Sequence, residues 1–317
     1  MLKFNIKKMM YSGNLGFHIS VALINLWHVF SCRLWLSDKK AVMRQFRKAH
    51  GYTFDFKNPK TLNEKMQWLK VNDRSPLHTI YADKYAVRKV YEEKLGKEYL
   101  IDLLFDSDDW REIKKENMPN APFVIKPNHA SGWYHIIQDK NKVDWSKIQI
   151  DCRFWLSQNY YLMQREWQYK NIPRRIVIEK LLIRKDGLIP TNFRVHCFHG
   201  KVQLIALTIY LSNDTEDYRN QKYSRDWEML PIDWAHRSVV LDQIRDNNPL
   251  PRPKNLDKMI ENAEIISREF RYVRVDFFDV DGKLYNGEVT FYDGGGYEVI
   301  SPFEWDEKLG DLLSLEK

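Results

Sequence analysis

Two rhythms of apolar and polar positions run along the chain. The runs FVIKPNHASGWYHIIQD (123–139), RRIVIEKLL (174–182), TNFRVHCFHGKVQLIALTIY (191–210) and YVRVDFFDVDGKLYNGEVTFY (272–292) are rich in β-branched and aromatic residues and read as strands. The first is strand, Gly-containing loop, strand. The third turns at His199-Gly200 and the last at Asp281-Gly282, a tight-turn pair that predicts a hairpin. A helical rhythm marks 38–50, the segment after Thr61, 81–96, 144–166, 252–270 and the tail. Thr61 followed by Glu64 predicts a capping box, NDRSP at 72–76 breaks the chain, and Asp83 and Gly96 sit where a helix begins and ends. YLIDLLFD reads as a strand or connector, followed by an acidic loop. Hairpins with helices between them predict an α+β architecture with antiparallel sheets.

The N-terminal stretch changes this picture. Met9 to Cys32 carries no formal charge, and Lys7, Lys8, Arg33, Lys39 and Lys40 flank it. Its length permits a transmembrane helix. However, Asn14, His18, Asn25 and Cys32 fall on one helical face with His28 beside them, and a polar stripe facing lipid is costly. The pattern fits better an amphipathic helix packed on the protein or lying on a membrane surface, with peripheral contact through residues 9–36. No small-residue cleavage site follows the apolar run, which argues against a cleaved signal peptide.

Composition adds less. The 317 residues are 44% hydrophobic and 29% charged, ordinary values for a globular protein. The net charge of +7 favours anionic partners: nucleotide phosphates, an acidic polymer or a phospholipid surface. No basic stripe with interleaved aromatics points to nucleic acid. Cys32, Cys152 and Cys197 have neither zinc spacing nor a disulfide framework, so a reducing cytoplasm is expected.

Candidate chemistry concentrates in the last hairpin. Strand alternation puts Arg274 and Asp276 on one face and Glu288 and Thr290 on one face of the partner strand; the turn lets Asp276 and Glu288 meet. Two carboxylates alone repel, and a magnesium ion between them removes that cost. A surface hairpin with scattered charges is the plain alternative. Lys126 ends an apolar strand before a loop with Ser131 and Gly132, whose N–H groups could cover phosphates, although GxxxxGK[ST] is absent. Glu179-Lys180 ends another strand. The pairs Asp106/Asp108 and Asp279/Asp281 match the short D-x-D of metal-using glycosyltransferases, a pattern common by chance. His196, Cys197 and His199 make a poor metal set, because alternation sends the first two to opposite faces.

Taken in order, NPKTLNEKMQWLK, ADKYAVRKVYEEKLG, FVIKPNHASG, REWQYKNIPRRIVIEKLL and VRVDFFDVDGKLYNGEVTFYDGGG resemble the ATP-grasp superfamily, and specifically the TupA-like ATP-grasp family, from about residue 40 to the end. The resemblance implies an ATP-grasp fold, two α+β subdomains holding ATP between antiparallel sheets, with an N-terminal helical extension. It implies a helical region 1–75 and an ATP-grasp domain 76–317, with a lid at about 110–180 and a metal-binding part at about 181–317. It implies ATP and Mg2+ as cofactors. Lys126 looks like the α/β-phosphate lysine, and Asn128, His129, Ser131 and Gly132 like part of a mobile covering loop. Lys84 or Arg88 looks like an earlier phosphate ligand. Glu179 looks like the adenine-side carboxylate, with Lys180 and Leu182 offering backbone contacts and Asp186 in the place of a ribose acid. Arg194 is similar to a basic residue near the γ-phosphate, and Arg274 to one beside an acyl-phosphate. Asp276 and Glu288 look like the magnesium ligands. Thr290 stands where many relatives carry Asn, which leaves a second magnesium open.

The implied activity is ATP-dependent carboxylate–amine ligation through an acyl-phosphate. The family context is bacterial surface polysaccharide, for example an amino acid joined to a uronic acid of a capsule, O-antigen or cell-wall polymer. The rival readings are a glycosyltransferase using a nucleotide-sugar, a sugar phosphotransferase and a degenerate scaffold at the membrane.

Overall fold

The computed structural model describes residues 6, 8–31, 37–214, 217–239 and 244–316; Cys32 and Arg33 lie outside them. The chain forms two compact units. One comprises residues 1–41, 83–85 and 102–181; the other comprises 42–82, 86–101 and 182–317.

The first unit is built on a four-stranded antiparallel sheet, β1 (Leu103–Ser107), β2 (Phe123–Pro127), β3 (His135–Ile137) and β4 (Ile176–Lys180), in the order β1-β4-β2-β3. Alternation along β2 buries Phe123 and Ile125 while Val124 and Lys126 stay partly exposed. The buried face joins Ile176 and Ile178 of β4 and packs with Ile148, Cys152 and Trp155 of the helix Trp145–Ser157. Asp144 caps that helix, accepting from the N–H groups of Ser146 and Lys147. The helix expected over 144–166 breaks at 158–160. Its continuation, Tyr161–Gln164, restarts where Asn159 Oδ1 accepts the Tyr161 N–H. The helix Asn14–Ser31 also belongs to this unit. No described helix is long and apolar enough to cross a membrane.

The second unit holds a five-stranded antiparallel sheet, β5 (Asn192–Phe198), β6 (Lys201–Tyr210), β7 (Tyr218–Ser224), β9 (Tyr272–Val280) and β10 (Lys283–Thr290), in the order β10-β9-β5-β6-β7. The short strands β8 (Asp233–Ala235) and β11 (Val299–Ser301) pair separately. Val273, Val275, Phe277, Val195 and Cys197 occupy one buried sheet face, and the helix Leu256–Ser267 supports β5 and β9. Both expected hairpins form: His199 (φ 50°) and Gly200 (φ 75°) turn the first, Asp281 (φ 53°) and Gly282 (φ 90°) the second. The helix expected over 81–96 is two, Pro76–Ala82 and Val87–Lys94. Between them Asp83 leaves the helical path, its Oδ1 accepting the Tyr85 N–H and an Asn128 Nδ2–H.

Thr61 caps the helix Leu62–Asn72 in the expected capping box with Glu64. The same helix is tied to the C-terminal helix Phe303–Asp311: Asp306 accepts from the Asn63 N–H and Nδ2, both at 3.0 Å. Burial pushes the Asp306 carboxyl up to about 6, against those two hydrogen bonds. The folded chain therefore holds this proton at higher pH than the unfolded chain, whose carboxyl titrates near about 4. The contribution to stability is fully present below about pH 4 and is lost as pH rises through about 6. Urea midpoints measured from pH 4.5 to 7 should show this decline, and Asp306→Asn should flatten it. An unchanged slope in the variant would assign the decline to other groups.

Candidate functional site

The polar face of the five-stranded sheet is organised by register. Arg194 of β5 lies opposite Asp276 of β9 on one side and Ala206 of β6 on the other, and Ala206 lies opposite Lys222 of β7. One row across the sheet thus carries Asp276, Arg194, Ala206 and Lys222. The next row carries Thr290, Arg274 and His196. Between Asn286 and Val289 the pairing with β9 shifts, so that Gly287 and Glu288 face the single residue Asp276. This bulge re-aims the Glu288 side chain. A Cβ on Gly287 would meet the Asp276 backbone oxygen at 3.2 Å, so the close approach suits glycine.

Arg274 is the centre of the site. Its Nε donates to Asp276 Oδ1 at 2.6 Å and its Nη2 to Asp276 Oδ2 at 2.8 Å. Nη2 also donates to Glu288 Oε1 at 3.2 Å, and Nη1 donates to Asp293. Arg274, Asp276 and Asp293 are all buried. Burial pushes Asp276 up to about 6; Arg274 opposes the rise and Glu288 adds to it. For Asp293 burial also raises the carboxyl, but Arg274 and then His196 outweigh it and hold it at about 2. His196 has Nδ1 2.9 Å from the Tyr272 hydroxyl, and burial lowers it to about 3, so the ring is neutral.

Asp293 was not singled out from sequence, because it lies in the turn DGGG with no strand alternation; its position three residues after β10 is the one available signal. Gly294, Gly295 and Gly296 adopt left-handed φ of 53°, 65° and 65°. The buried helix residues Gln67 and Lys70 donate to the carbonyl of Gly295, and Gln67 also to that of Gly296. Lys222 was missed for a similar reason, since YRNQKYS lacks an apolar alternation. It is 3% exposed, and burial, then the Arg194 charge, push it down to about 8. Its ammonium has no hydrogen-bond partner among the described residues, and Lys222 lines a cavity of about 710 Å³ with Asn220, Asp233, Arg245, Ile232 and Ser301.

In the first unit, Lys126 Nζ lies 2.6 Å from Glu179 Oε2. The pair is diagonal across β2 and β4, because Lys126 faces Val177 and Val124 faces Glu179. The loop expected to be mobile from Asn128 is anchored at its start. Asn128 donates through Nδ2 to Asp83 and to the Pro173 carbonyl, both at 2.8 Å, and its Oδ1 accepts the Arg175 N–H. His129 Nε2 lies 3.1 Å from the Trp155 carbonyl, and burial lowers its pKa to about 4. The exposed part begins at Ser131 and Gly132. Lys84 Nζ donates to the Ala130 carbonyl at 2.8 Å, whereas Arg88, in the second unit, donates to the Ile101 carbonyl.

The remaining expected residues lie apart from these clusters. Lys180 is exposed and its N–H donates to the Asp102 carbonyl; Leu182 begins the second unit. Asp186 is held in an exposed turn, accepting from Arg184 and from the Leu188 N–H. Both D-x-D pairs are occupied locally or solvated: Asp106 by Arg175, Asp279 by Gly282 and Asn255, Asp281 by Lys185, with Asp108 exposed. His199 Nε2 accepts the Ser314 N–H, and no group of three His, Cys, Asp or Glu among the described residues could hold a metal ion.

The donor chemistry nevertheless fits magnesium. Mg2+ is held through one or two carboxylates plus waters and phosphates, not by a closed protein cage. Asp276, Glu288, Asp293 and the partly buried Glu298 outnumber Arg274, Arg194 and Lys222, and burial, with Asp293 nearby, pushes Glu298 up to about 7. Further positive charge is therefore accommodated there.

The family model for TupA-like ATP-grasp proteins matches residues 64–314. The chain belongs to the TupA-like ATP-grasp family, and its α+β architecture is the ATP-grasp fold. No curated protein matches it. Among solved structures it is similar to a D-alanine–D-alanine ligase from Bacillus anthracis, at 17% identity over 71% of this chain and 59% of that chain, TM-score 0.38. It is also similar to the ATP-grasp ligase PsnB complexed with a phosphomimetic precursor variant, Mg and ADP, at 12% identity over 80% and 65%, TM-score 0.42. A third is an ADP complex of the N5-carboxyaminoimidazole ribonucleotide synthetase PurK, at 14% identity over 80% and 56%, TM-score 0.40. The chain spans between 56% and 65% of the length of these three structures.

Removing Arg274 would leave buried carboxylates without their counter-charge. Arg274→Leu should destabilise the fold by about 3–5 kcal/mol at pH 7.5, with part of the loss recovered at pH 5.5 as carboxyls protonate. Arg274→Lys should restore little, because an ammonium cannot reproduce the guanidinium fork. Chemical denaturation at both pH values checks this. A loss below about 1 kcal/mol would show that the cluster does not depend on Arg274.

Proposed function

We propose that the protein is an ATP-dependent carboxylate–amine ligase acting in bacterial surface polysaccharide biosynthesis, on a capsule, O-antigen or cell-wall polymer. The observation that carries this reading is Arg274 buried among Asp276, Glu288 and Asp293 on the last hairpin and its following turn. A guanidinium held in that way is already aligned where charge builds on a transferred phosphoryl group. Family membership supports the use of ATP.

In the proposed reaction a substrate carboxylate oxygen bonds to the γ-phosphorus of ATP as the bond to the bridging oxygen breaks, releasing ADP. An amine nitrogen then bonds to the acyl carbon, the carbon–oxygen bond to phosphate breaks, and the nitrogen loses its proton. Lys126 and Lys84 take the phosphates, the exposed segment from Ser131 covers them, and Glu179 faces adenine, with backbone contacts from Lys180 and Leu182. Lys84 is preferred to Arg88 because it bonds the Ala130 carbonyl beside this segment. Arg194 lies opposite Asp276 and faces the γ-phosphate, and Asp186 is kept as the ribose acid. Asp276 and Glu288 hold one magnesium, with Thr290 as the candidate for a second. When bound, Mg2+ offsets phosphate charge. Arg274 and Arg194 align the reacting groups, and the cavity at Lys222 receives an anionic part of the substrate, such as a uronic acid carboxylate. The proposed domain reading is a helical region 1–75 and an ATP-grasp domain 76–317, with a lid at about 110–180 and a metal-binding part at about 181–317. The same proposal places the protein in the cytoplasm, in peripheral contact with the inner face of the membrane through residues 9–36.

Calorimetry with ATP and with UDP, in Mg2+, separates this reading from its main rival. ATP should bind, and Lys126→Ala should weaken it by about tenfold or more, the scale of one lost charge-assisted contact. With hydroxylamine present, a uronic acid substrate should give an ATP-dependent hydroxamate, lost in Glu288→Gln. Tight UDP binding without ATP binding would replace the ligase by a glycosyltransferase. ATP turnover on a sugar without hydroxamate would point to a phosphotransferase.

A further inference from the structure

The helix Asn14–Ser31 has three faces. Phe17 and Ser20 are buried, the Ser20 hydroxyl donating to the Ile6 carbonyl at 3.1 Å. A polar face carries Asn14 and His18. Arg153 Nη1 donates to Asn14 Oδ1 at 2.9 Å, Nη2 lies 3.0 Å from His18 Nε2, and the guanidinium stands 4.0 Å from the Phe17 ring centroid. These contacts seat the helix and fix its rotation.

The third face is Leu15, Ile19, Leu23, Leu26 and Trp27, each at least 41% exposed and Leu15 75% exposed. At 3.6 residues per turn they fill a continuous arc of about 120°. A single exposed leucine is ordinary, but five large apolar side chains on one seated helix face form a patch that favours an apolar partner. The charges around it say which partner. Met9 to Cys32 holds no Asp, Glu, Lys or Arg, and Lys7, Lys8, Arg33, Lys39 and Lys40 bracket the stretch. Among the described residues of these, Lys8, Lys39 and Lys40 are exposed. An apolar helix face flanked in sequence by basic residues, with Trp27 in the last turns of the helix, matches the boundary between acyl chains and anionic headgroups.

We infer that Leu15, Ile19, Leu23, Leu26 and Trp27 dock the chain flat on an anionic phospholipid surface, with the bracketing lysines at the headgroups. This deepens the peripheral-contact part of the proposed function and does not depend on the ligase chemistry.

The experiment is flotation of the full chain with vesicles of phosphatidylglycerol and phosphatidylcholine, and with phosphatidylcholine alone. Binding should require the anionic lipid and fall with salt. Ile19→Glu/Leu23→Glu should weaken it by about tenfold or more, and Lys39→Glu/Lys40→Glu should reduce it further at low salt. Thermal melting of each variant checks that the fold is kept. The hydroxamate assay on the same variants should be unchanged, so loss of vesicle binding is read separately from the reaction. Absent binding to anionic vesicles, or equal binding by Ile19→Glu/Leu23→Glu, overturns the inference. A dimer in light scattering that this variant dissociates also overturns it, because the occupant would then be a second copy.

Discussion

The arginine–carboxylate knot at Arg274 is the constraint on which the second unit turns. A guanidinium buried without counter-charge would be prohibitive, and so would Asp276 and Asp293 without a cation. Each therefore requires the other, and the backbone must deliver all of them. Strand β9 supplies Arg274 and Asp276 two residues apart on one face. The bulge in β10 brings Glu288 within 3.2 Å of the same guanidinium. The triple-glycine turn returns Asp293 to it, and that turn is fixed in place because Gln67 and Lys70 bond its carbonyls. An isolated helix residue, Lys70, thus helps to position a carboxylate more than two hundred residues later in the chain.

The first unit solves a different problem with an amide in place of a charge. Asn128 uses its N–H, its carbonyl and both side-chain atoms to hold together β2, the segment before β4 and the Asp83–Tyr85 turn. This hub makes Lys84 a neighbour of the loop that follows Lys126. It also explains why a helix reading through 81–96 fails: propensity over that stretch is good, but Asp83 gains a hydrogen-bonding partner only if the helix stops.

Much of this was legible in the sequence for physical reasons. The 272–292 hairpin announced itself through period-two alternation and an Asp-Gly turn, and Thr61 with Glu64 marked a helix start. That Arg274 and Asp276 share one strand face followed from alternation alone. Placing Glu288 also needed the bulge, which the sequence marks only by Gly287. Asp293, Glu298 and Lys222 were not legible, because their roles depend on which turn and which strand stand next to them after folding. Strand β7 contains Asn, Gln, Lys and Arg, so no local pattern separates it from a loop. The three-residue strands β8 and β11 are too short for any periodicity to register. The apolar face of the helix Asn14–Ser31 was visible only in part: the polar stripe could be read, but which of the other positions the protein covers is a tertiary fact.

The charged groups of both units share one property that bears on function. Lys126 is held by Glu179 at 2.6 Å, and Arg274 by its carboxylates. In the proposed reading, a nucleotide taken up by Lys126 and Glu179 exchanges this internal pair for its own contacts, which reduces the net gain from each group. Arg274 differs, since Asp276 and Asp293 are buried with it and only Glu288 among its partners is partly exposed. In the proposed reading, Asp276 and Glu288 would hold a magnesium ion with the same carboxylates that pair with Arg274, and the ion would supply charge neutralisation there. Charge pairing in the resting chain thus preorganises the arginine without exposing it, and the same pairing makes its availability depend on what else occupies the site.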